Sequence, residues 1–178
     1  MTLQSIPNDA FLTQPFQLFN RQWLLVTGGD FAKGEFNTMT VSWGSLGILW
    51  NKPIVQVFIR PTRFTYEFLE RYDTFTVTAF PDVLHGALQV LGSRSGRDGD
   101  KISEAGLTAV PSTLIAAPTF AEAELSLECR KIYFDDLKPA QFLDPTAIDN
   151  YPKRDFHRSY FGEILTIQGS QKWIHSAK

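Results

Sequence analysis

Four side chains within six residues, Arg60, Thr62, Arg63 and Thr65, have the chemistry to hold an anion. Two guanidinium forks can grip a phosphate bidentately, and the two hydroxyls add hydrogen bonds within the same short span. Pro61 fixes its own φ and pushes Arg60 towards extended geometry, so a strand should end there and carry Arg60 at its tip. Phe64, Phe68, Leu69 and Tyr72 then recur at helical spacing, with Thr62 or Arg63 opening the helix. A helix start presents unpaired N–H groups that attract negative charge, which gives a second, independent reason for an anion at this turn. The bland reading is that the arginines form surface ion pairs with Glu67, Glu70 or Asp73. The coincidence of charge and helix start favours the anion.

Two further segments carry chemistry. In Asn37 to Trp43, the residues Thr38, Thr40 and Ser42 alternate with Met39, Val41 and Trp43 at the period of a strand, giving one hydroxyl-bearing and one apolar face. Such a mixture suits a flat heteroaromatic ligand, whose edge needs polar groups and whose faces need large side chains, although an ordinary half-buried strand reads the same way. Gly92 to Lys101, GSRSGRDGDK, is a loop by composition. Its glycines let backbone N–H groups approach a ligand, and Arg94, Arg97 and Lys101 add positive charge that Asp98 and Asp100 partly cancel. Either aspartate could instead cap the short helix that follows. A calcium loop is excluded, because Ile102 and Ser103 stand where another oxygen ligand and a glycine are required.

The elements that must position these groups are mainly strands: Trp23 to Thr27, Thr38 to Trp43, Ile54 to Arg60, Thr74 to Phe80, Ala123 to Phe134 and Gly162 to Gln168. Helices are expected at Thr65 to Tyr72, at Val83 to Leu91 after an Asp82 cap, and at Lys101 to Ala105, with loops at Val110 to Pro118 and Leu137 to Pro152. Few crossover helices separate the strands, so the fold class is mainly β: an antiparallel barrel with peripheral helices. The 178 residues suit one domain spanning 1–178. A formal charge of −2, with only the interrupted cluster Lys153, Arg154, His157 and Arg158 as a second basic patch, argues against nucleic-acid partners. No apolar run is long enough to cross a bilayer and no basic start precedes an apolar core, so no membrane association and a cytoplasmic location are expected.

One cysteine, Cys129, excludes an internal disulfide or dithiol pair, so redox chemistry would need a bound cofactor. Thr27-Gly28-Gly29-Asp30 lacks the spaced third glycine and following helix of a dinucleotide fingerprint and reads as a turn after a strand. No nucleophile motif accompanies His85, His157 or His175. His157, in a loop three residues before Tyr160, is the candidate catalytic residue for proton transfer, against a purely structural role. No metal site is expected.

FNTMTVSWG, RPTRFT, SGRDGDK and the late HRSYFGEI, in this order, resemble the flavin reductase-like family of FMN-binding split barrels, which includes flavoredoxin. The resemblance runs from about Phe16 to Ile167. It implies a Greek-key-like split barrel that forms a homodimer, with one FMN per protomer near the interface and electrons passed between a donor and a protein or small-molecule acceptor. Asn37, Thr38, Met39, Thr40, Val41, Ser42 and Trp43 would lie along the isoalloxazine ring, and Arg60, Thr62, Arg63 and Thr65 would hold the phosphate. Ser95, Arg97, Asp98 and Lys101 would close over the ribityl chain and phosphate; His157, Tyr160 and Glu163 would sit near the ring or the partner subunit. NAD(P)H would serve as a transient electron donor, though Phe156 to Glu163 stands where reductases of this family often carry Gly-Asp-His. The alternatives are an FMN-binding sensor or store without turnover, and a haem- or vitamin-binding split barrel.

Overall fold

The computed structural model describes residues 3–175. Ten strands form: β1 (Gln4–Ile6), β2 (Leu24–Asp30), β3 (Glu35–Val41), β4 (Gly44–Leu49), β5 (Lys52–Ile59), β6 (Thr74–Ala79), β7 (Ala109–Val110), β8 (Thr119–Phe120), β9 (Leu125–Asp136) and β10 (Arg158–Gly169). Eight of them make one antiparallel sheet in the order β3-β2-β6-β9-β10-β5-β4, with β1 also paired to β10, while β7 and β8 pair separately. β3, at one end of the path, comes back into contact with β5, so the sheet curls towards closure. Among the helices of the described residues, three border the site: α1 (Phe64–Arg71), α2 (His85–Ser93) and α3 (Lys101–Glu104).

Burial explains the curl. Leu24, Val26, Val55, Val57, Phe75 and Leu127 point into a common core inside the sheet, and a second cluster around Leu25, Phe80, Leu88 and Leu91 seats α2 against the outer side of β2. Alternate residues of β2 therefore serve two cores, which is why its run is buried almost throughout. Gly162 of β10 lies against Phe75 and Cys129; a Cβ there would sit 2.4 Å from the Phe75 ring. Cys129 faces the core, and burial raises its thiol pKa well above the usual range.

The mainly antiparallel β class is as the sequence predicts, but several boundaries move. β2 runs on through Thr27-Gly28-Gly29-Asp30, and the turn comes at Phe31 to Gly34, because Gly29 takes a φ of 133° and remains paired with β3. The expected strand Thr38 to Trp43 ends at Val41, and Ser42 and Trp43 form the break before the unforeseen β4. β4 and β5 are joined at Trp50 and Asn51, both with positive φ (50° and 59°), the geometry of a type I′ hairpin turn, and Trp50 hides it from composition. His157 directly precedes β10, which begins at Arg158, and that arginine bonds Asp136 and Glu70. Asp82 makes no capping bond, whereas Asp100 does cap α3, accepting from the Ser103 N–H at 3.1 Å.

Candidate functional site

The start of α1, the loop after α2 and the middle of β3 meet around a cavity of about 140 Å³. Asn37 and Met39 contribute from β3; Thr62, Arg63 and Thr65 from the Arg-Pro-Thr-Arg turn; Ser95, Arg97 and Lys101 from the second loop. Three segments far apart in sequence are thus brought to one place. Ser93, Arg94, Gly96 and Phe64 complete the wall. Gly96 has no side chain to mark it in the sequence, yet an added Cβ would lie 2.2 Å from Asn37 Oδ1 and 3.2 Å from the Phe64 ring.

Two cations define the electrostatics. Lys101 is 4% exposed and donates to the carbonyls of Leu91 (3.0 Å) and Arg94 (3.1 Å). Burial, reinforced by nearby Arg63, pushes its pKa down to about 8. Half-buried Arg63 donates to the Gly92 carbonyl, and burial, then repulsion from Arg60, holds its pKa below the usual guanidinium range. Among the described residues neither meets a carboxylate; both instead lean on the carbonyl end of α2, whose partial negative charge only partly compensates them. The folded-state pKa of Lys101 is below the ordinary lysine value. Its charged form therefore opposes folding below pH 8, and that cost is relieved as pH rises towards the unfolded value of 10.5. A bound anion would relieve it at neutral pH. Asn37, buried beneath the cavity, donates to the Thr65 hydroxyl at 2.7 Å, which ties β3 to the first turn of α1.

Arg60 stands outside this arrangement. Its guanidinium donates to both carboxylate oxygens of Asp155 (2.9 and 3.0 Å) and to the Asn150 carbonyl (2.8 Å), and lies 5.1 Å from the Tyr151 ring centroid. This is an ion pair, but with none of the three acids expected from the sequence. Glu67 is taken by Arg97, which also lies over the Phe64 ring, and Glu70 by Arg158 and Tyr160. Arg97 is therefore partly neutralised at the cavity lip, and Asp98 faces a neighbouring hollow.

The hydroxyl face expected on β3 is spent inside the fold. Thr38 is bonded to Thr27 (2.9 Å) and to the Val26 carbonyl (3.1 Å), Thr40 donates to the Leu88 carbonyl, and Val41 belongs to the core. Only Met39 of the apolar set reaches the cavity. β3 is nonetheless an edge strand, so main-chain groups on its outer side have no strand partner among the described residues. Trp43 is 44% exposed and lies over His157, ring centroids 4.9 Å apart. His157 is not a loop residue open to solvent: it is buried, its Nδ1 is 2.8 Å from the Tyr151 hydroxyl, and burial and Arg60 push its pKa down to about 4 against the pull of Asp155. It stays neutral at physiological pH and sits at the Trp43 end of β3, away from the cation pair. Ser42 lies in the same break. Tyr160 is buried in the core and Glu163 bridges Lys52 and Arg130.

Comparison with known proteins gives the chain a family. Residues 16–136 match the flavin reductase like domain model, and the chain belongs to that family. An uncharacterised protein of Pyrococcus abyssi is 28% identical over 110 residues, 61% of this chain and 60% of that relative, so the match spans less than two thirds of its length. An FMN-binding domain of a flavin reductases-like enzyme from Shewanella baltica superposes with a TM-score of 0.67 at 18% identity, over 94% of this chain and 77% of the other. Flavoredoxin of Desulfovibrio vulgaris gives 0.66 at 20% identity, over 87% and 73%. The fold is therefore a split barrel of the flavin reductase-like type.

Proposed function

We propose that this protein is an FMN-binding oxidoreductase of the flavin reductase/flavoredoxin type. The observation that carries the reading is the pair Arg63 and Lys101, buried or half-buried cations with no carboxylate partner among the described residues, facing one cavity at a helix start. Their donor chemistry fits a phosphate, and Gly96 leaves the close approach that a side chain would close. A bound FMN would supply hydride or single-electron transfer through its ring. The chain's own work is to anchor the phosphate through Arg63, Lys101 and the Thr62 edge, and to lay the remainder of the ligand along the outer edge of β3 towards Trp43. Main-chain groups there would meet the polar edge of the ring, since the Thr38 and Thr40 hydroxyls are already engaged.

A homodimer accompanies this reading. Trp50, Tyr133 and Phe161 pack edge to face in one row, with Trp50 and Tyr133 substantially exposed, and Ile48 on the same hairpin is 73% exposed. Such a face suits a second copy.

The visible spectrum of the purified protein, with identification of what denaturation releases, tests cofactor binding. Flavin absorption with FMN released is expected; a colourless protein that also rejects added FMN overturns the reading. Anaerobic mixing with NADH, NADPH or a reduced ferredoxin-like protein then separates an electron carrier, whose absorption bleaches, from a binding module, whose absorption persists. Because Lys101 loses its proton near pH 8, FMN affinity should fall roughly tenfold between pH 7 and pH 9, read by fluorescence titration. A flat profile would remove Lys101 from the anion site.

A further inference from the structure

A second hollow, sharing no lining residue with the anion cavity, lies where residues 10–22 meet residues 172–175. Phe11 and Ile174 form a single antiparallel bridge, the Leu12 N–H donates to the Trp173 carbonyl at 2.9 Å, and the His175 N–H donates to the Ala10 carbonyl at 2.8 Å. Pro15 opens the helical stretch that follows, which widens into a π-helical turn at Leu18–Gln22 before Trp23 ends it with a φ of 59°. These pieces enclose about 280 Å³. Leu12, Leu18 and Trp173 give the hollow apolar walls, while Thr13, Gln22 and Lys172 bring polar groups.

The polar groups are unevenly matched. Trp173 is 6% exposed, and its Nε1 and the Oγ1 of Thr13 are buried with no hydrogen-bond partner among the described residues. A buried donor left unpaired is costly, and native folds hold few of them. The Trp173 ring is held in place by Phe11, ring centroids 6.3 Å apart, and by the Lys172 ammonium 4.8 Å from its centroid. Gln22 supplies the complement. Its Nε2 donates to the Phe80 carbonyl (2.9 Å) and to Glu124 Oε1 (2.5 Å), so both amide hydrogens are engaged and its own carbonyl oxygen has no partner among the described residues. Glu124, itself buried, also pairs with Lys172 and cancels its charge. Two donors and one acceptor thus border an apolar hollow of no net charge. A single water needs only about 10–15 Å³, so there is room for a much larger guest. Residues 12–14 belong to no strand or helix and Leu12 is 50% exposed, so a swing of Leu12 or a turn of Thr13 about χ1 lets an entering group reach the buried donors.

We infer that this hollow binds a small uncharged carboxamide on an aromatic or aliphatic body, its carbonyl oxygen accepting from Trp173 Nε1 and the Thr13 hydroxyl and its N–H donating to Gln22. The volume, just below the roughly 300–1,000 Å³ of drug-sized sites, suits a single ring. A carboxylate has no N–H for Gln22 and meets a lysine already paired, and a hydrocarbon leaves all three groups unmatched. The site is independent of the flavin reading above.

The test titrates benzamide, benzoate and toluene into the ¹⁵N-labelled full-length protein and follows the Trp173 indole N–H by NMR, with Trp173→Phe identifying its resonance among the four tryptophans. Benzamide should shift that resonance and bind with a Kd on the order of 1 mM, benzoate and toluene at least about fivefold more weakly. Thr13→Val and Trp173→Phe keep the shape of the wall and remove the hydroxyl and the N–H. Each should weaken benzamide about five- to tenfold, read from the Leu12 backbone amide, with the other indole N–H resonances unmoved, which shows that the variants are folded. A Trp173 resonance unmoved at about 10 mM benzamide, or toluene binding as tightly as benzamide, overturns the site. Tighter binding of benzoate overturns the uncharged class. Displacement of benzamide by NADH, or FMN affinity that falls with benzamide affinity in both variants, joins the hollow to the redox site and overturns a separate one. Benzamide binding as expected in a protein that rejects FMN supports this site while overturning the flavin reading alone.

Discussion

Replacing Arg63 by Ala together with Lys101 by Met is expected to lower FMN affinity roughly a thousandfold while the protein remains folded, as each charge-assisted contact to a phosphate contributes about 1.5–3 kcal/mol. Among the described residues neither side chain holds a carboxylate that its loss would strand, and each bonds only main-chain carbonyls at the end of α2. Removing a buried ammonium also relieves a desolvation cost, so the ligand-free double variant should not lose much stability. Arg60→Ala provides the contrast. It leaves Asp155 without the Nη1 donor that both its oxygens share and frees the Asn150 carbonyl, so it should loosen residues 145–157, seen as faster hydrogen exchange, with FMN affinity within about threefold of wild type. Equal losses of affinity in Arg60→Ala and Arg63→Ala would return Arg60 to the phosphate site.

A large effect on stability is expected from Gly162→Ala. The added Cβ would come within 2.4 and 2.8 Å of the Phe75 ring and 2.9 Å of Cys129 Cβ, deep between β6, β9 and β10. No flexible side-chain end is available to yield, so a ring or a strand must shift, at a cost of about 3 kcal/mol and a melting temperature roughly 10 °C lower. Phe75→Leu takes away the ring atoms that the Cβ would meet and should recover some of that loss when combined with it; strict additivity of the two would show that the crowding lies elsewhere.

Much of this was legible in the residues. Pro61 and the Phe64/Phe68/Leu69 period placed the strand end and the helix start within a residue or two, since those signals are local. The loop with Ser95, Arg97 and Lys101 could be recognised by composition, but only folding decides which cation stays buried without an acid. Arg60 and Arg63 are equivalent as letters. Asp155 lies 95 positions from Arg60, and no spacing rule links them. Thr38 and Thr40 alternate as a solvent-facing set would, yet α2 covers that face, and a two-residue period cannot say what packs on top. β4 was missed because its turn uses Trp50, a residue that seldom takes positive φ.

The strand β10 pairs with β9 along its whole length, and on its other edge with β5 and β1. During synthesis the chain reaches Asp136 with β5 and β9 already made and nothing between them. Until Gly169 has left the ribosome, the sheet stays in pieces, each with a bare hydrogen-bonding margin open to mispairing with another nascent chain. Expression yield should therefore depend on translation through residues 137–169 more than on any earlier stretch, and slow codons there would lengthen the most aggregation-prone interval in the life of this protein.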